Sequence, residues 1–131
     1  SQVFLTQAIS RGMAKNKKGN IIFVSSTSGL NGDHGRFAYS STKSAVLNTV
    51  KTLSKELSNY NIRVNAISPG LTETDLMLSN TKEDIIKTEI EKISLKRIAK
   101  TNEIASVILF LASEKSSYIN GQNIIVDGGY L

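Results

Sequence analysis

Two hydrophobic periods run along this chain, and the switches between them mark out its elements. Ile21-Ile22-Phe23-Val24 is a short, continuous apolar run rich in β-branched residues, which suits a strand buried on both faces of a parallel sheet. From about Tyr39 to Ser58 the apolar residues Val46, Val50, Leu53 and Leu57 fall at spacings of four, three and four, which makes one stripe and predicts a helix. Ile62, Val64 and Ile67 then mark a second strand, closed by Pro69-Gly70. A residue before proline is held extended, so this strand is predicted to end at Ser68. Ile104, Ile108 and Leu111 give a later helix its core face, with Thr101 as its expected cap and Glu103 favourable to the dipole of the first turn. Asn123–Val126 reads as a third strand, and Asp127-Gly128-Gly129 turns out of it. At the start of the chain, Val3 to about Ala14 has helical composition, with Val3, Phe4, Ala8 and Met13 available for one face.

The connections are equally readable. Lys15–Asn20 is a polar turn, and Ser25–Arg36 carries Gly29, Gly32 and Gly35, which predicts a loop. Leu71 to Lys100 is polar and only weakly periodic, in Lys82–Lys92, with Met77 beside Leu76 and Leu78. Short of helix caps, it is predicted to be a mobile excursion holding one or two short helices. Strands alternating with helices argue for parallel βαβ units and an α/β fold in a single domain over residues 1–131.

Composition narrows the function classes. A chain of 131 residues, 40% hydrophobic and 21% charged, carries one modest core. It has no cysteine, which excludes disulfides, thiolate metal sites and cysteine nucleophiles, and fits a reducing, cytoplasmic compartment. No apolar run approaches the roughly 20 residues of a membrane span. The opening residues lack the apolar core of a signal peptide, so neither membrane insertion nor secretion is expected. The net charge of +5 comes from scattered lysines, apart from Lys15, Lys17 and Lys18 in a turn, and reads as a solvated surface rather than a nucleic-acid face. The single histidine, His34, makes no metal site.

The candidate chemistry lies between Gly19 and Thr74. Tyr39 and Lys43 are four apart at a helix start, so their side chains share a face. An ammonium beside a phenol favours phenolate and brings proton exchange toward neutrality. Ser26 follows the buried strand at its carboxyl edge, where open parallel sheets bind ligands, and its hydroxyl could hold a carbonyl or alcohol oxygen beside the phenol. Spacing alone leaves a second reading open, in which Tyr39 is an amphipathic packing residue and Lys43 a solvated charge.

With these residues in place, the chain resembles the short-chain dehydrogenase/reductase family along essentially all its length. The resemblance is carried by Ser26, thirteen residues before the tyrosine, by Tyr39-Ser-Ser-Thr-Lys43, and by Arg63-Val64-Asn65-Ala66-Ile67 with Pro69-Gly70. Thr72 and Thr74, Phe110-Leu111-Ala112-Ser113, Gly121-Gln122 and Asp127-Gly128-Gly129 continue it. Within the family the chain looks most similar to 3-oxoacyl-carrier-protein reductases. The resemblance implies a Rossmann-like three-layer fold, represented by its carboxyl-terminal half with about three parallel strands. It implies hydride transfer between NADP or NAD and a small carbonyl or alcohol substrate. Tyr39 would be the acid/base, Lys43 would tune it and hold the nicotinamide ribose, and Ser26 would orient the substrate. Pro69, Gly70, Thr72 and Thr74 would border the nicotinamide and its phosphate, and residues 71–100 would be a substrate lid. It also implies a homo-oligomer through helix 39–58, with the helix at Val3–Ala14 taking part.

The family's glycine-rich phosphate turn and the residue that selects NAD or NADP have no counterpart here. The expectation is therefore a catalytic half, inactive alone, with the Ile21–Val24 strand left at an unpaired apolar edge. A non-catalytic association module or split-protein half is the alternative. A lyase or epimerase using Tyr39 is a further one.

Overall fold

The structure is a computed structural model and describes residues 2–131. Three parallel strands lie in the order β1 (Gly19–Val24), β2 (Ile62–Pro69), β3 (Asn123–Val126). Register runs from Gly19 opposite Ile62 to Val24 opposite Ile67, and from Ala66 opposite Asn123 to Pro69 opposite Val126. Helix α1 (Gln2–Asn16) precedes β1, while a single helical turn, α2 (Ser28–Asn31), and the long α3 (Phe37–Glu56) cross from β1 to β2. The second crossover holds α4 (Asp75–Asn80), α5 (Glu83–Lys92) and α6 (Thr101–Ala112).

Residues of β2 alternate between the two faces of the sheet, as a period of two requires. Ile62, Val64 and Ala66 join Phe23, Val46 and Val50 under α3, whereas Ile67 packs with Ile104 and Leu111 under α6. Helices on both faces of a parallel sheet make the three-layer α/β arrangement. The stripe read from spacing does the packing on α3: Val46 and Val50 are buried, and Leu53 and Leu57 are half-buried against the same cluster. Burying each such side chain is worth about 1.5–3 kcal/mol.

Helix α6 is fixed at both ends by charge. Arg63 on β2 donates to the carbonyls of Leu111, Ser113 and Ile119 at 3.0, 3.2 and 3.2 Å, placing a cation at the negative end of the helix. At the other end Glu103 accepts two Arg97 nitrogens at 2.7 Å and the Lys100 backbone N–H at 2.8 Å. Arg97 above all, then that backbone bond, holds the Glu103 carboxyl down at about 2. Thr101 is the first helical residue rather than the cap, because Glu103 reaches back to the backbone N–H of Lys100.

Other expectations shift in detail. Helix α3 starts and ends two residues earlier than its sequence stripe suggests, and a short 3₁₀ turn at Ser58–Tyr60 follows before Asn61 turns left-handed at φ 55°. The glycine-rich loop contains α2, which packs on α3: a Cβ on Gly29 would stand 2.7 Å from the Lys43 carbonyl carbon. Strand β1 is covered on both faces but only partly, with Ile21 and Phe23 on the α3 side and Ile22 on the α6 side. It ends the sheet, and Val24 at its tip is exposed. On α1 only Met13 and Ala14 reach the core, leaving Val3, Phe4, Leu5 and Ile9 exposed. Among the described residues no helix is long and apolar enough to cross a membrane.

Candidate active site

Parallel strands deliver their carboxyl ends to one edge, and there Ser25 and Ser26 follow β1 while Pro69 and Gly70 end β2. Pairing continues past the strand tip: the Ser25 N–H donates to Ile67 O at 2.8 Å and the Thr27 N–H to Pro69 O at 3.1 Å. Ser25 keeps the orientation of Phe23, toward α3, and its hydroxyl donates to the Lys43 carbonyl at 2.8 Å. In return the Lys43 ammonium donates to Val24 O at 2.9 Å. These two bonds pin the start of α3 to the end of β1, so the face carrying Tyr39 and Lys43 looks across the strand ends.

A cavity of about 350 Å³ lies there. Ser26, Tyr39, Lys43, Pro69, Gly70, Thr72 and Thr74, the seven residues singled out in the sequence, all line it, together with Val24, Ser25, Thr101 and Ile104. Lys43 Nζ sits 5.7 Å from the centre of the Tyr39 ring, within the range of a cation–π attraction. Tyr39 is 45% exposed. The Ser26 hydroxyl accepts the Ser28 N–H at 3.2 Å, which leaves its proton to be donated. Thr72 donates to Gly70 O at 3.0 Å, while Thr74 accepts the Met77 N–H at 3.2 Å and so caps α4 as well as facing the cavity.

Chemically the cavity combines one phenol, one ammonium and several hydroxyls with an apolar wall from Val24, Pro69 and Ile104. That donor set suits a flat, weakly polar ring bearing an amide and a sugar diol, next to a small oxygen-bearing substrate. Four contributors, Ser25, Gly29, Thr101 and Ile104, escape a reading of motifs. Ser25 was legible in principle, because a period of two carries it to the same side as Phe23. The approach of Gly29 to Lys43 and the arrival of Thr101 and Ile104 depend on how distant segments meet, and no local signal announces them.

Comparison with known proteins follows the same lines. The family model described as enoyl-(acyl carrier protein) reductase matches residues 1–131. The chain is 44% identical over 125 residues to the 3-oxoacyl-(acyl-carrier-protein) reductase FabG of Thermotoga maritima, covering 95% of this chain and 50% of that relative. Among solved structures it is similar to 3-oxoacyl-(acyl-carrier protein) reductase from Brucella melitensis, with a TM-score of 0.90 and 32% identity, covering 97% of this chain and 48% of that one. It is similar also to a 4-hydroxyisoleucine dehydrogenase complexed with NADH, with a TM-score of 0.90 and 31% identity, covering 98% and 54%. The chain spans about half the length of the curated relatives it matches.

Proposed function

The chain belongs to the short-chain dehydrogenase/reductase family, and from that premise we propose that its cavity is the catalytic and nicotinamide-binding end of an NAD(P)-dependent oxidoreductase acting on a carbonyl/alcohol pair. The observation that carries the proposal is the convergence of Ser26, Tyr39 and Lys43 on one cavity with Pro69, Gly70, Thr72 and Thr74. A nicotinamide bound there supplies or accepts the hydride. Thr72 and Thr74 border its amide and phosphate side, Pro69 and Gly70 support the ring, and Lys43 holds the ribose. Ser26 donates its proton to the substrate oxygen and fixes it beside the phenol. Tyr39 gives that oxygen a proton in reduction and removes it in oxidation, and the Lys43 charge stabilises negative charge developing on the phenolic oxygen. The substrate class of the FabG relatives, a 3-oxoacyl group, is the first to test. Residues 71–100 serve as its lid.

A cavity of about 350 Å³ has room for a nicotinamide ring and a small substrate but not for a whole dinucleotide beside them. We therefore read residues 1–131 as acting together with a dinucleotide-binding portion. With that portion present, nicotinamide fluorescence should saturate at micromolar NADH or NADPH, and Lys43→Ala should weaken binding by about tenfold or more. Residues 1–131 alone should not turn over a ketone. Absence of saturation with both dinucleotides sinks the reading. Turnover by the 131 residues alone overturns the need for a second portion.

The exposed Val3, Phe4, Leu5 and Ile9 on α1 favour self-association, since contiguous apolar patches on a surface mark interaction sites. The homo-oligomer pairs the outer face of α3 with its copy, α1 joining the contact. Sedimentation should show a dimer or larger at micromolar concentration, and a monomer throughout the dilution series rejects the pairing.

A further inference from the structure

The C-terminal turn joins the cavity to the excursion that stands beside it. That excursion is stitched at its base, where Thr72 bridges Ala99, the Glu73 N–H donates to Ala99 O at 2.8 Å, and the Ala99 N–H donates to Leu71 O at 3.0 Å. Beyond the base, α5 half-buries Ile86, Glu89 and Ile90 and runs into Ile93, which is fully enclosed. Ile93 and Glu89 of this limb meet the segment after β3.

Asp127 folds that segment back on itself, its carboxylate accepting the N–H groups of Gly129 and Leu131 at 2.9 and 3.0 Å. Gly128 sits at φ 66°, a conformation that suits glycine, and a Cβ there would press on Ile93 at 2.9 Å. The carbonyls of the turn then grip the returning limb. Gly128 O accepts the Leu95 N–H at 3.1 Å and Gly129 O accepts the Ser94 hydroxyl at 2.8 Å. Tyr130 adds the outermost bond, its hydroxyl donating to Glu89 Oε2 at 3.1 Å while Lys92 holds Oε1 at 2.6 Å. On its opposite side the turn touches the cavity wall, since a Cβ on Gly70 would lie 2.9 Å from the Asp127 Cα.

We propose that Tyr130 is a positioning residue for the active site, whose hydrogen bond to Glu89 clasps α5 and, through the turn at Asp127–Leu131, sets the height of the excursion over the cavity. The proposal rests on reading that cavity as the substrate site. A phenol donating to a carboxylate makes a charge-assisted bond, stronger than a neutral one and made or broken as a unit. Burial first, and then the bond to Glu89, raises the Tyr130 phenol above its ordinary titration range, so it stays protonated and remains the donor. Elsewhere on the excursion α4 is capped by its own Thr74, and Leu76, Leu78 and Ile85 are exposed.

The test is amide exchange in the intact protein, comparing Tyr130→Phe with the parent. Exchange in Glu83–Lys92 should rise by about tenfold, the loss of one hydrogen bond to a charged group, while β2 amides from Val64 to Ile67 stay unchanged. Glu89→Ala should do the same, the double variant should be no worse than either single one, and Glu89→Gln, whose amide oxygen still accepts, should restore most of the protection. In turnover the Tyr130→Phe protein should show a raised KM with kcat within about twofold. Exchange in α5 that stays within twofold of the parent overturns the proposal, as does an equal acceleration in β2 or an unchanged KM. If α5 loosens as expected but neither dinucleotide binds, the clasp survives as a contact and the active-site reading is what fails.

Discussion

Replacing Tyr39 with phenylalanine should lower turnover by about 10²–10⁴-fold, the usual contribution of a positioned general acid or base. The expectation refers to the protein with its dinucleotide-binding portion present. A loss of that size corresponds to about 3–5 kcal/mol of transition-state stabilisation. The substitution removes one hydroxyl from a side chain that is nearly half exposed at the start of α3, so folding should be untouched. Lys43 keeps its bond to Val24 O, because that contact does not involve the phenol. Dinucleotide affinity should accordingly stay within about threefold, and the defect should fall on kcat and kcat/KM together, as for an interaction made only in the transition state. Ser26→Ala should add a milder loss on the same step. A Tyr39→Phe protein that turns over at the parental rate sinks the assignment, and the association-module reading of the chain then gains ground.

How legible was this in the sequence? The sheet was, because β1 carries a continuous apolar run and Ile62, Val64 and Ile67 mark β2 ahead of Pro69-Gly70, and the core stripe of α3 was, because its spacing is regular from Val46 to Leu57. Of the seven cavity residues, Ser26, Tyr39 and Lys43 were legible from the strand end and the helical spacing, whereas Pro69, Gly70, Thr72 and Thr74 were indicated only by the family resemblance. What escaped depends on contact between distant segments. The apolar face of α1 was visible, yet spacing does not say whether anything covers it, and the outer four apolar residues stay in contact with solvent. The excursion seemed short of caps because Thr74 was read as a ligand contact, whereas its hydroxyl also accepts the Met77 N–H and starts α4. The turn after β3 was recognised only as an exit from the strand. Its grip on Ser94 and Leu95 joins residues more than thirty positions apart, as in the 35-residue separation of Ser94 and Gly129.

Asn65 illustrates the same point with a large energetic consequence, and Asn65→Leu should destabilise the fold by about 2 kcal/mol or more. Its side chain is fully buried on β2, between the apolar Val64 and Ala66. The amide nitrogen donates to Ile119 O at 2.9 Å and the amide oxygen accepts the Gln122 N–H at 3.0 Å. One residue thereby satisfies two backbone groups of the connection that leads into β3. Leucine has similar bulk and no polar atoms, so it fills the space, leaves the Gln122 N–H without a partner at a cost of about 1–3 kcal/mol, and leaves Ile119 O with only its longer bond from Arg63. Asn120 cannot compensate, since its own oxygen accepts the Val64 N–H at 2.9 Å and its nitrogen donates to Ser54 O at 3.2 Å. Against a total stability of about 5–15 kcal/mol, the melting temperature should drop by roughly 6 °C or more. Loosening should also spread along the connection into β3 and so to the turn at Asp127 that leans on Gly70. Thermal unfolding of Asn65→Leu beside the parent decides the matter. A shift of less than about 3 °C would mean that water or rearranged backbone satisfies Ile119 and Gln122 without the amide.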